Sequence, residues 1–214
     1  MPAEAHKTAL LVGATGLIGS ELLTQLLDST HYSKVVVLAR RPEAVMAGNN
    51  KLQVCTFEQG IPQGLQIDDF YCALGTTQKK SGKDGLRYVD KELVITTAEQ
   101  AQQAGAKTAS IVSAVGVSAD SPFFYNRIKG EMEQGIEQLG FRNTIFWQPS
   151  VLIGERDECR LGEEIAAKCL SFSLLGDYQA LPGKRIARAM AAATPTSEPG
   201  VFRHRVRSIK QFSS

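Results

Sequence analysis

Two residues with acid–base chemistry stand four positions apart near the middle of the chain. They are Tyr125 and Lys129, in the segment Tyr125-Asn126-Arg127-Ile128-Lys129. In a helix, this spacing places both side chains on one face. An ammonium group beside a phenol stabilises the tyrosinate, which lowers the phenol pKa from about 10 toward neutrality. We therefore predict that Tyr125 acts as a general acid or base on a substrate oxygen, with Lys129 as its partner.

A hydroxyl residue, Ser113, precedes Tyr125 by twelve positions and lies at the predicted carboxyl end of a strand. Ligands of parallel sheets bind at that edge, so we expect Ser113 to polarise a substrate carbonyl. A Tyr-x-x-x-Lys pair alone is more often a surface pair on a helix. The prediction of a catalytic set therefore depends on the three residues occurring together with a cofactor site.

A glycine-rich segment follows the first apolar run of the chain. It reads Gly13-Ala14-Thr15-Gly16-Leu17-Ile18-Gly19. Glycine lets the backbone turn from a strand into a helix against a pyrophosphate, and the free N–H groups of the helix start, with the Thr15 hydroxyl, donate to phosphate oxygens. A plain structural turn is the alternative, and a nucleoside triphosphatase loop is disfavoured because no Gly-Lys-Ser/Thr follows. We predict a bound dinucleotide, with Lys129 donating to its nicotinamide ribose.

Two arginines, Arg40 and Arg41, end the second apolar run. At this position an NAD-binding protein carries Asp or Glu for the ribose 2′-hydroxyl, whereas guanidinium groups bind a 2′-phosphate. We therefore predict that the cofactor is NADP(H), and NAD(H) is disfavoured. A solvated basic turn is the alternative interpretation.

The elements that must position these residues alternate between strands and helices. Apolar runs predict six strands, at Thr8–Val12, Lys34–Ala39, Leu52–Phe57, Asp69–Leu74, Thr108–Ser113 and Thr144–Gln148. Helical spacing predicts helices after Ile18, through Leu86 to Ala98 with Gly105 as C-cap, and from Phe123 to Leu139, and a polar loop is expected from Gly75 to Gly85. Repeated βα units impose parallel pairing, so we predict an α/β fold with a doubly wound, mostly parallel sheet, the Rossmann fold.

Beyond Pro149 the regular alternation fades. We expect a helix from Lys184 to Ala193 and a final strand around Val201 to Val206. The basic residues of Arg203-His204-Arg205-Val206-Arg207 alternate as in an exposed edge strand. We predict one domain over residues 1–214, with a dinucleotide-binding core at 8–148 and a small capping part at 149–214 that shapes the substrate pocket.

Composition and charge argue against several other classes of protein. The chain has 214 residues, of which 43% are hydrophobic, and a formal net charge of +2, so a packed domain is expected and nucleic acid is not an expected partner. Its four cysteines and three histidines are scattered, so neither a metal site nor a disulfide framework is predicted. The first apolar run is too short for a signal peptide or a membrane span. We expect a cytoplasmic protein without a membrane partner, and the oligomeric state stays open.

Four segments of the chain resemble a known family. They are Val12-Gly13-Ala14-Thr15-Gly16-Leu17-Ile18-Gly19, Cys72-Ala73-Leu74-Gly75-Thr76-Thr77, Tyr125-Asn126-Arg127-Ile128-Lys129-Gly130-Glu131 and Gln148-Pro149-Ser150-Val151-Leu152. Over nearly the whole length, the chain is similar to the short-chain dehydrogenase/reductases, specifically to their atypical, Tat-interacting-protein-like oxidoreductase branch. The resemblance implies a catalytic triad of Ser113, Tyr125 and Lys129. It also implies cofactor contacts from Leu74 and Gly75 and, beside the nicotinamide, from Pro149, Ser150 and Val151.

Three positions depart from the pattern of that family. Gln148 stands where many relatives have Arg, and Ala114 follows Ser113 where a second hydroxyl residue is common. The end of the third strand, Cys55 to Gln59, lacks the Asp that often contacts adenine. These departures concern the adenine pocket and the substrate contacts rather than the hydride chemistry.

The sequence as a whole predicts an NADP(H)-dependent oxidoreductase that transfers hydride between nicotinamide and a small-molecule carbonyl or alcohol. A non-catalytic, NADP(H)-sensing regulatory binding protein is the alternative, and the intact Ser-Tyr-Lys set favours catalysis. A sugar-nucleotide epimerase or dehydratase is disfavoured because the region after Pro149 is short. The basic loop Thr76 to Lys83 is expected to be solvated, or to fold over phosphates or an acidic substrate. The substrate and the reaction direction stay open.

Overall fold

The protein is built on a sheet of seven strands with helices on both faces. The computed structural model describes residues 7–45, 48–150, 152–153 and 179–213. Within these ranges the strands are β1 Lys7–Val12, β2 Tyr32–Ala39, β3 Leu52–Thr56, β4 Asp69–Cys72, β5 Thr108–Val112, β6 Asn143–Gln148, β7 Leu152–Ile153, β8 Leu181–Pro182 and β9 Gly200–Arg205. The α-helices in the same ranges are α1 Leu17–Asp28, α2 Gln78–Arg87, α3 Leu93–Gln103, α4 Phe124–Leu139, α5 Gly183–Ala193 and α6 Val206–Phe212.

The strand order creates a crevice at one edge of the sheet. The order is β3-β2-β1-β4-β5-β6-β9, and each neighbouring pair is parallel. The short strands β7 and β8 pair separately. The chain builds outward from β1 to β3 and then returns to place β4 on the other side of β1. The carboxyl ends of strands on either side of such a reversal form the place where ligands bind. The predicted Rossmann fold is therefore confirmed.

The central strand β1 is covered on both faces. Ala9 and Leu11 belong to the apolar cluster that includes residues of α1 and α5, while Leu10 and Val12 belong to the cluster that includes residues of α3 and α4. All four side chains are fully buried. A strand that is buried on both faces has a continuous run of apolar residues in the sequence, and this is why β1 was predictable.

The segment Gly75 to Gly85, predicted as a polar loop, contains most of α2, which begins at Gln78 and ends at Arg87. The side-chain oxygen of Thr77 accepts a hydrogen bond from the backbone N–H of Lys80, so Thr77 caps a helix that has no apolar pattern. Gly82 then interrupts the helix with a φ of +70°, a left-handed conformation that glycine adopts at little cost. The loop prediction was therefore wrong from the start of α2 onward. A π-helical turn, Tyr88–Glu92, leads from α2 into α3.

Residues 179–213 complete the sheet and one of its faces. Helix α5 packs so closely on α1 that a Cβ on Gly183 would lie 2.9 Å from the Cγ of Leu17. Strand β9 pairs with β6 at the edge of the sheet, and Arg203 and Arg205 are exposed on it. The predicted helix and edge strand are confirmed, and the division into a core and a capping part stays a prediction. In the ranges described, none of the helices combines the length and the apolar character that crossing a membrane requires.

A chain of buried polar groups crosses the face of the sheet that α1 covers. The hydroxyl oxygens of Tyr32 and Tyr71 lie 2.8 Å apart. The Tyr32 hydroxyl donates a hydrogen bond to Oδ2 of Asp69 at 2.8 Å. Tyr71 is also hydrogen-bonded to Thr194, and Thr194 donates to Oγ of Ser110 at 2.9 Å. These bonds join β2, β4 and β5 to the turn that follows α5, and they satisfy polar groups that would otherwise be costly to bury.

Candidate active site

The glycine segment forms the turn between β1 and α1 at the carboxyl edge of the sheet. Gly13 has a φ of +85°, and a Cβ there would lie 2.5 Å from the carbonyl carbon of Ala73. A Cβ on Gly19 would lie 2.0 Å from the carbonyl oxygen of Gly13. Both contacts are too short for any side chain, so the first glycine permits the turn beside β4 and the last permits α1 to pack on it.

The amino terminus of α1 is open toward this edge. Gly16 is its N-cap residue, no side chain caps the helix, and the first turn carries no acidic residue. Thr15 is exposed beside it, and Ala14 is buried. Uncapped N–H groups and the positive end of the helix dipole attract an anion. The predicted pyrophosphate site therefore has the required shape and polarity.

Arg40 and Arg41 directly follow the neighbouring strand, β2, at the same edge. Val12 is paired with Leu38 in the parallel register of β1 and β2, so Arg40 follows β2 close to the point where the glycine segment begins. Both arginines are exposed, and within the described ranges neither has a carboxylate within 4.0 Å. The structure thus places two available guanidinium groups beside the glycine segment.

The segment after β4 lies on the other side of the glycine segment. Val12 is paired with Cys72, and the backbone N–H of Ala73 donates to the carbonyl of Val12 at 2.9 Å. Leu74 and Gly75 follow directly and are half-buried. The two sequence-predicted cofactor residues are thus close in space to the open end of α1.

Lys129 is buried and paired with a residue that sequence reasoning missed, Asp90. Lys129 Nζ lies 3.0 Å from Asp90 Oδ1, and the two side chains are only 3% and 1% exposed. The other carboxylate oxygen of Asp90 accepts from the backbone N–H of Thr76 at 2.8 Å. Asp90 lies in the π-helical turn, four residues from both Leu86 and Val94, so a charge on the apolar face of the helix was the signal that could have revealed it.

Electrostatics keep Lys129 charged in spite of its burial. Burial favours the neutral amine and lowers the pKa, but the charges of Asp90 and Tyr125 and the hydrogen bond with Asp90 outweigh it, so the pKa of Lys129 is raised. Tyr125 is half-buried one turn earlier on α4. The predicted pair is thus electrostatically coupled, and the lysine is a fixed cation.

Ser113 lies at the predicted strand end, but its hydroxyl is directed to a second residue that sequence reasoning missed. Ser113 Oγ donates to Oε1 of Glu133 at 2.5 Å, and Gln148 Nε2 donates to the same oxygen at 2.9 Å. Arg203 Nε donates to Oε2 of Glu133 at 2.9 Å. A hydroxyl has one proton, so a Ser113 bonded to Glu133 has only its lone pairs left for another group. Nothing in the sequence pattern links Glu133 to the end of β5.

The segment after β6 is adjacent to the segment after β5. The carbonyl of buried Pro149 accepts from the backbone N–H of Val115 at 3.0 Å, and Ser150 is half-buried. Val151, the third residue expected beside the nicotinamide, lies outside the described residues. The structure therefore brings Pro149 close to the Ser113 strand end and leaves the contact of Val151 untested.

Two cavities differ in their chemistry. One of about 710 Å³ lies beside the amino ends of β4 and β5, and the residues that line it, within 60–66 and 100–105, include no titratable side chain. The other, of about 240 Å³, is bounded by the loop from Gly116 to Ala119, α4, Gln148 and β9, and it includes Glu133. The larger cavity offers no group for acid–base chemistry, so we assign the site to the carboxyl edge of the sheet.

Comparisons with known proteins agree with this location. A family model described as NAD(P)H-binding matches residues 13–139. The protein HTATIP2 of Rattus norvegicus is 34% identical over 194 residues, which cover 86% of this chain and 80% of that protein. The protein FMP52 of Eremothecium gossypii is 34% identical over 182 residues, which cover 82% of this chain and 80% of that protein.

Solved structures share the fold. The enzyme WbmH of Bordetella bronchiseptica, in complex with NAD+, matches with a TM-score of 0.66 at 16% identity and covers 97% of this chain and 79% of its own. The UDP-glucose 4-epimerase of Thermotoga maritima, with UDP-glucose, matches with a TM-score of 0.66 at 16% identity and covers 92% of this chain and 76% of its own. At this identity the likeness concerns the fold alone.

One comparison corrects the expected location in the cell. The FMP52 proteins of Eremothecium gossypii, Candida albicans and Emericella nidulans are named mitochondrial. The expectation of a cytoplasmic protein is therefore wrong, since the relatives point to mitochondria rather than to a purely cytoplasmic location. It rested on the short first apolar run, and a run too short to span a membrane does not distinguish between compartments.

The residues of the site fit a nicotinamide dinucleotide. The glycine segment has the close backbone contacts that only glycine permits, and it leaves the amino terminus of α1 open at the crevice between β1 and β4. The matched family model, described as NAD(P)H-binding, agrees with this geometry, and the two relatives are each 34% identical to the chain. The chain therefore belongs to the NAD(P)H-binding, atypical short-chain dehydrogenase/reductase family of Rossmann proteins that includes HTATIP2 and FMP52.

Proposed function

We propose that the protein is an NADP(H)-dependent oxidoreductase that reduces a carbonyl or oxidises an alcohol, with Tyr125 as its general acid or base. The observation that carries the proposal is the coupling of Tyr125 to the buried, charged Lys129 on one face of α4. Burial of a cation is costly even when the cation is paired, so a buried lysine indicates a role that a neutral side chain could not fill. Stabilising a tyrosinate is such a role.

The cofactor would be held by backbone and side chains at the carboxyl edge of the sheet. Its proposed contacts are Gly13, Ala14, Thr15, Gly16, Leu17, Ile18, Gly19, Arg40, Arg41, Leu74, Gly75, Tyr125, Lys129, Pro149, Ser150 and Val151. When bound, the nicotinamide supplies or accepts the hydride. The chain itself handles the proton and orients the substrate.

Tyr125 moves the proton in this proposal. It gives a proton to the substrate oxygen during reduction and takes one during oxidation. Lys129 favours the tyrosinate because its charge lies nearby, and Asp90 holds Lys129 in place and partly offsets its field. The balance of these two charges sets the pKa of the phenol.

Ser113 is the third member of the proposed set. Its hydroxyl donates to Glu133 at 2.5 Å, so Ser113 would polarise a carbonyl only after exchanging that hydrogen bond for one to the substrate. While the bond persists, Ser113 can accept a hydrogen bond from a substrate hydroxyl. Its role therefore depends on Glu133.

The experiment that tests catalysis replaces Tyr125 by Phe. We expect turnover of carbonyl substrates by the wild-type protein to be lost in Tyr125→Phe, by about 100-fold or more, while the dissociation constant for NADPH stays nearly unchanged. Fluorescence titration measures the affinity, and NADPH absorbance measures the turnover. If the wild type binds NADPH but reduces no compound in a broad carbonyl panel, the regulatory alternative replaces this proposal.

The preference for NADP(H) is tested at Arg40 and Arg41. The double variant Arg40→Ala/Arg41→Ala should weaken NADPH binding by at least tenfold because charge-assisted bonds to the 2′-phosphate are lost, and it should change NADH binding little. Arg188→Ala, at an exposed position of α5, is the control. Equal losses for the two cofactors would contradict the assignment.

A further inference from the structure

The first residue of α4, Phe124, is surrounded by three cationic side chains. Lys83 Nζ, Arg87 Cζ and Arg127 Cζ each lie 5.7 Å from the centroid of its ring. We call these three side chains and the ring the Phe124 cluster. A ring face attracts cations without accepting strong hydrogen bonds. Apart from the bond that Arg127 Nη1 donates to the carbonyl of Ser121 at 2.9 Å, the cluster therefore holds N–H donors in place and leaves them available.

The cluster carries more positive charge than its surroundings neutralise. Among the described residues, Glu131 is the carboxylate that lies within 4.0 Å of a cluster cation; it is 3.7 Å from Arg87, and it also lies 2.6 Å from Lys91. In the part of the chain that the structure describes, Lys83 and Arg127 have no carboxylate within 4.0 Å. Several cations close together with one shared carboxylate produce a local positive potential that attracts an anion.

The cluster is carried by two elements that adjoin residues of the proposed active site. Phe124 immediately precedes Tyr125 on α4, and α2, which carries Lys83 and Arg87, begins three residues after Gly75. The break at Gly82 separates Lys83 from the first turn of α2. Arg87 and Arg127 are half-buried, and Lys83 is exposed. The donors are thus positioned by two elements that both start at the carboxyl edge of the sheet.

We propose that the substrate carries an anionic group, a carboxylate or a phosphate, which binds to Lys83, Arg87 and Arg127 while its carbonyl or alcohol reaches Tyr125. This inference rests on the proposed function and adds the chemical class of the substrate. Guanidinium groups suit both anions because their N–H donors match two oxygens at once, and the ammonium adds a third point of attachment.

A second basic helix provides the matched control. Lys184, Arg185 and Arg188 are exposed on α5, which packs with α1 on the opposite face of the sheet from α4. No aromatic ring within the described residues gathers these three cations. If general positive charge were sufficient to attract the substrate, removing charge from α5 would have the same effect as removing it from the Phe124 cluster.

The experiment uses three aldehydes that differ in charge, namely 4-carboxybenzaldehyde, 4-formylphenyl phosphate and the neutral 4-formylbenzamide. We expect Lys83→Gln and Arg127→Gln each to lower kcat/KM for the two anions relative to the amide by about tenfold or more, mainly through KM. Arg188→Gln should leave all three values unchanged. Circular dichroism and thermal unfolding check that each variant folds, and Lys83 is exposed, so Lys83→Gln remains informative if Arg127→Gln does not fold.

The outcomes separate this inference from the proposed function. If the wild type turns over the aldehydes but the ratio of anion to amide does not change in the Lys83 and Arg127 variants, or changes equally in Arg188→Gln, the anion subsite is overturned. If no aldehyde is turned over, the proposed function fails. Calorimetric titration of 4-carboxybenzaldehyde and of the amide into the protein with NADP+ then tests the subsite. The subsite is supported if Lys83→Gln weakens the binding of 4-carboxybenzaldehyde but not that of the amide, and it is overturned if Lys83→Gln binds both compounds as the wild type does.

Discussion

Lys129 Nζ and Asp90 Oδ1 lie 3.0 Å apart with both side chains almost fully buried, so a buried ion pair connects the helix of the predicted general acid to the π-helical turn. The same Asp90 accepts a hydrogen bond from the backbone N–H of Thr76, directly after the predicted cofactor contacts Leu74 and Gly75. One carboxylate therefore fixes both the catalytic lysine and the segment beside the cofactor. Its loss affects stability and chemistry together.

Asp90→Asn should lower the free energy of unfolding by about 3–5 kcal/mol, because a buried ammonium loses its countercharge. Urea denaturation monitored by circular dichroism measures the change. The double variant Asp90→Leu/Lys129→Met removes both charges and should recover most of the loss. A cost for Asp90→Asn below about 1 kcal/mol, the range of exposed pairs, would mean that the pair is not buried in solution.

Gly13→Ala should unfold or strongly destabilise the protein and abolish NADPH binding, because its Cβ would lie 2.5 Å from the backbone of Ala73. Gly64→Ala is the matched control. Gly64 also has a positive φ, +75°, but no atom lies within 4 Å of its Cβ position. Its cost should be limited to the left-handed strain of about 1–2 kcal/mol, with unchanged NADPH affinity. Equal costs at the two positions would show that close packing at Gly13 is unimportant.

Ser113→Ala should lower the free energy of unfolding by about 2 kcal/mol, since a buried hydrogen bond to a carboxylate is lost. A serine that contacts only the substrate would leave stability unchanged. Chemical denaturation and kcat/KM, measured on the same preparation, separate the two contributions. Unaltered stability would indicate that the bond to Glu133 does not form in solution.

Alkaline pH should destabilise the protein through Tyr32 and Tyr71. Burial, together with the nearby Asp69, raises the pKa of both phenols above the ordinary value of 10.0. Above pH 10 the two phenols therefore keep their protons in the folded state but lose them in the unfolded state. The contribution of these phenols to the free energy of unfolding is complete below pH 10 and is lost as the pH rises above 10.

The variant that checks this pH dependence is Tyr32→Phe. In the wild type, the free energy of unfolding should decrease as the pH rises above 10. In Tyr32→Phe this slope should be shallower by about 1.4 kcal/mol per pH unit, the contribution of one titrating proton. Tyr88→Phe, at an exposed position, should leave the slope as it is in the wild type. Denaturant titrations at several alkaline pH values measure the slopes. A Tyr32→Phe slope equal to that of the wild type would contradict the burial of an un-ionised phenol.

The strands of the sheet and the glycine segment were predictable because local sequence determines them. A run such as Ala9 to Val12 is apolar because both faces of β1 are covered, and Gly13 and Gly19 are required by backbone contacts within the turn and with β4. The partners of the catalytic candidates were not predictable in this way. Asp90 and Glu133 meet Lys129 and Ser113 only after the helices pack on the sheet, and no periodicity records such pairs.

Helix α2 shows a different limit of sequence reasoning. Its residues have no apolar face to detect, and the side-chain hydrogen bond at its start is accepted by Thr77. Polar helices of this kind resemble loops in composition. The misassigned segment matters for function, because it is the one that brings Lys83 to Phe124.

The buried hydroxyl chain has a consequence for the order in which the protein matures. Ser110 and Tyr71 belong to strands that the ribosome makes well before Thr194, yet Thr194 is hydrogen-bonded to both. A nascent chain that has reached β6 thus lacks the hydrogen-bond partner that Thr194 supplies to both hydroxyls, and it cannot close the α1 face until α5 has emerged. Completion of the sheet is therefore a late event of synthesis, and the incomplete chain is the form most exposed to chaperones.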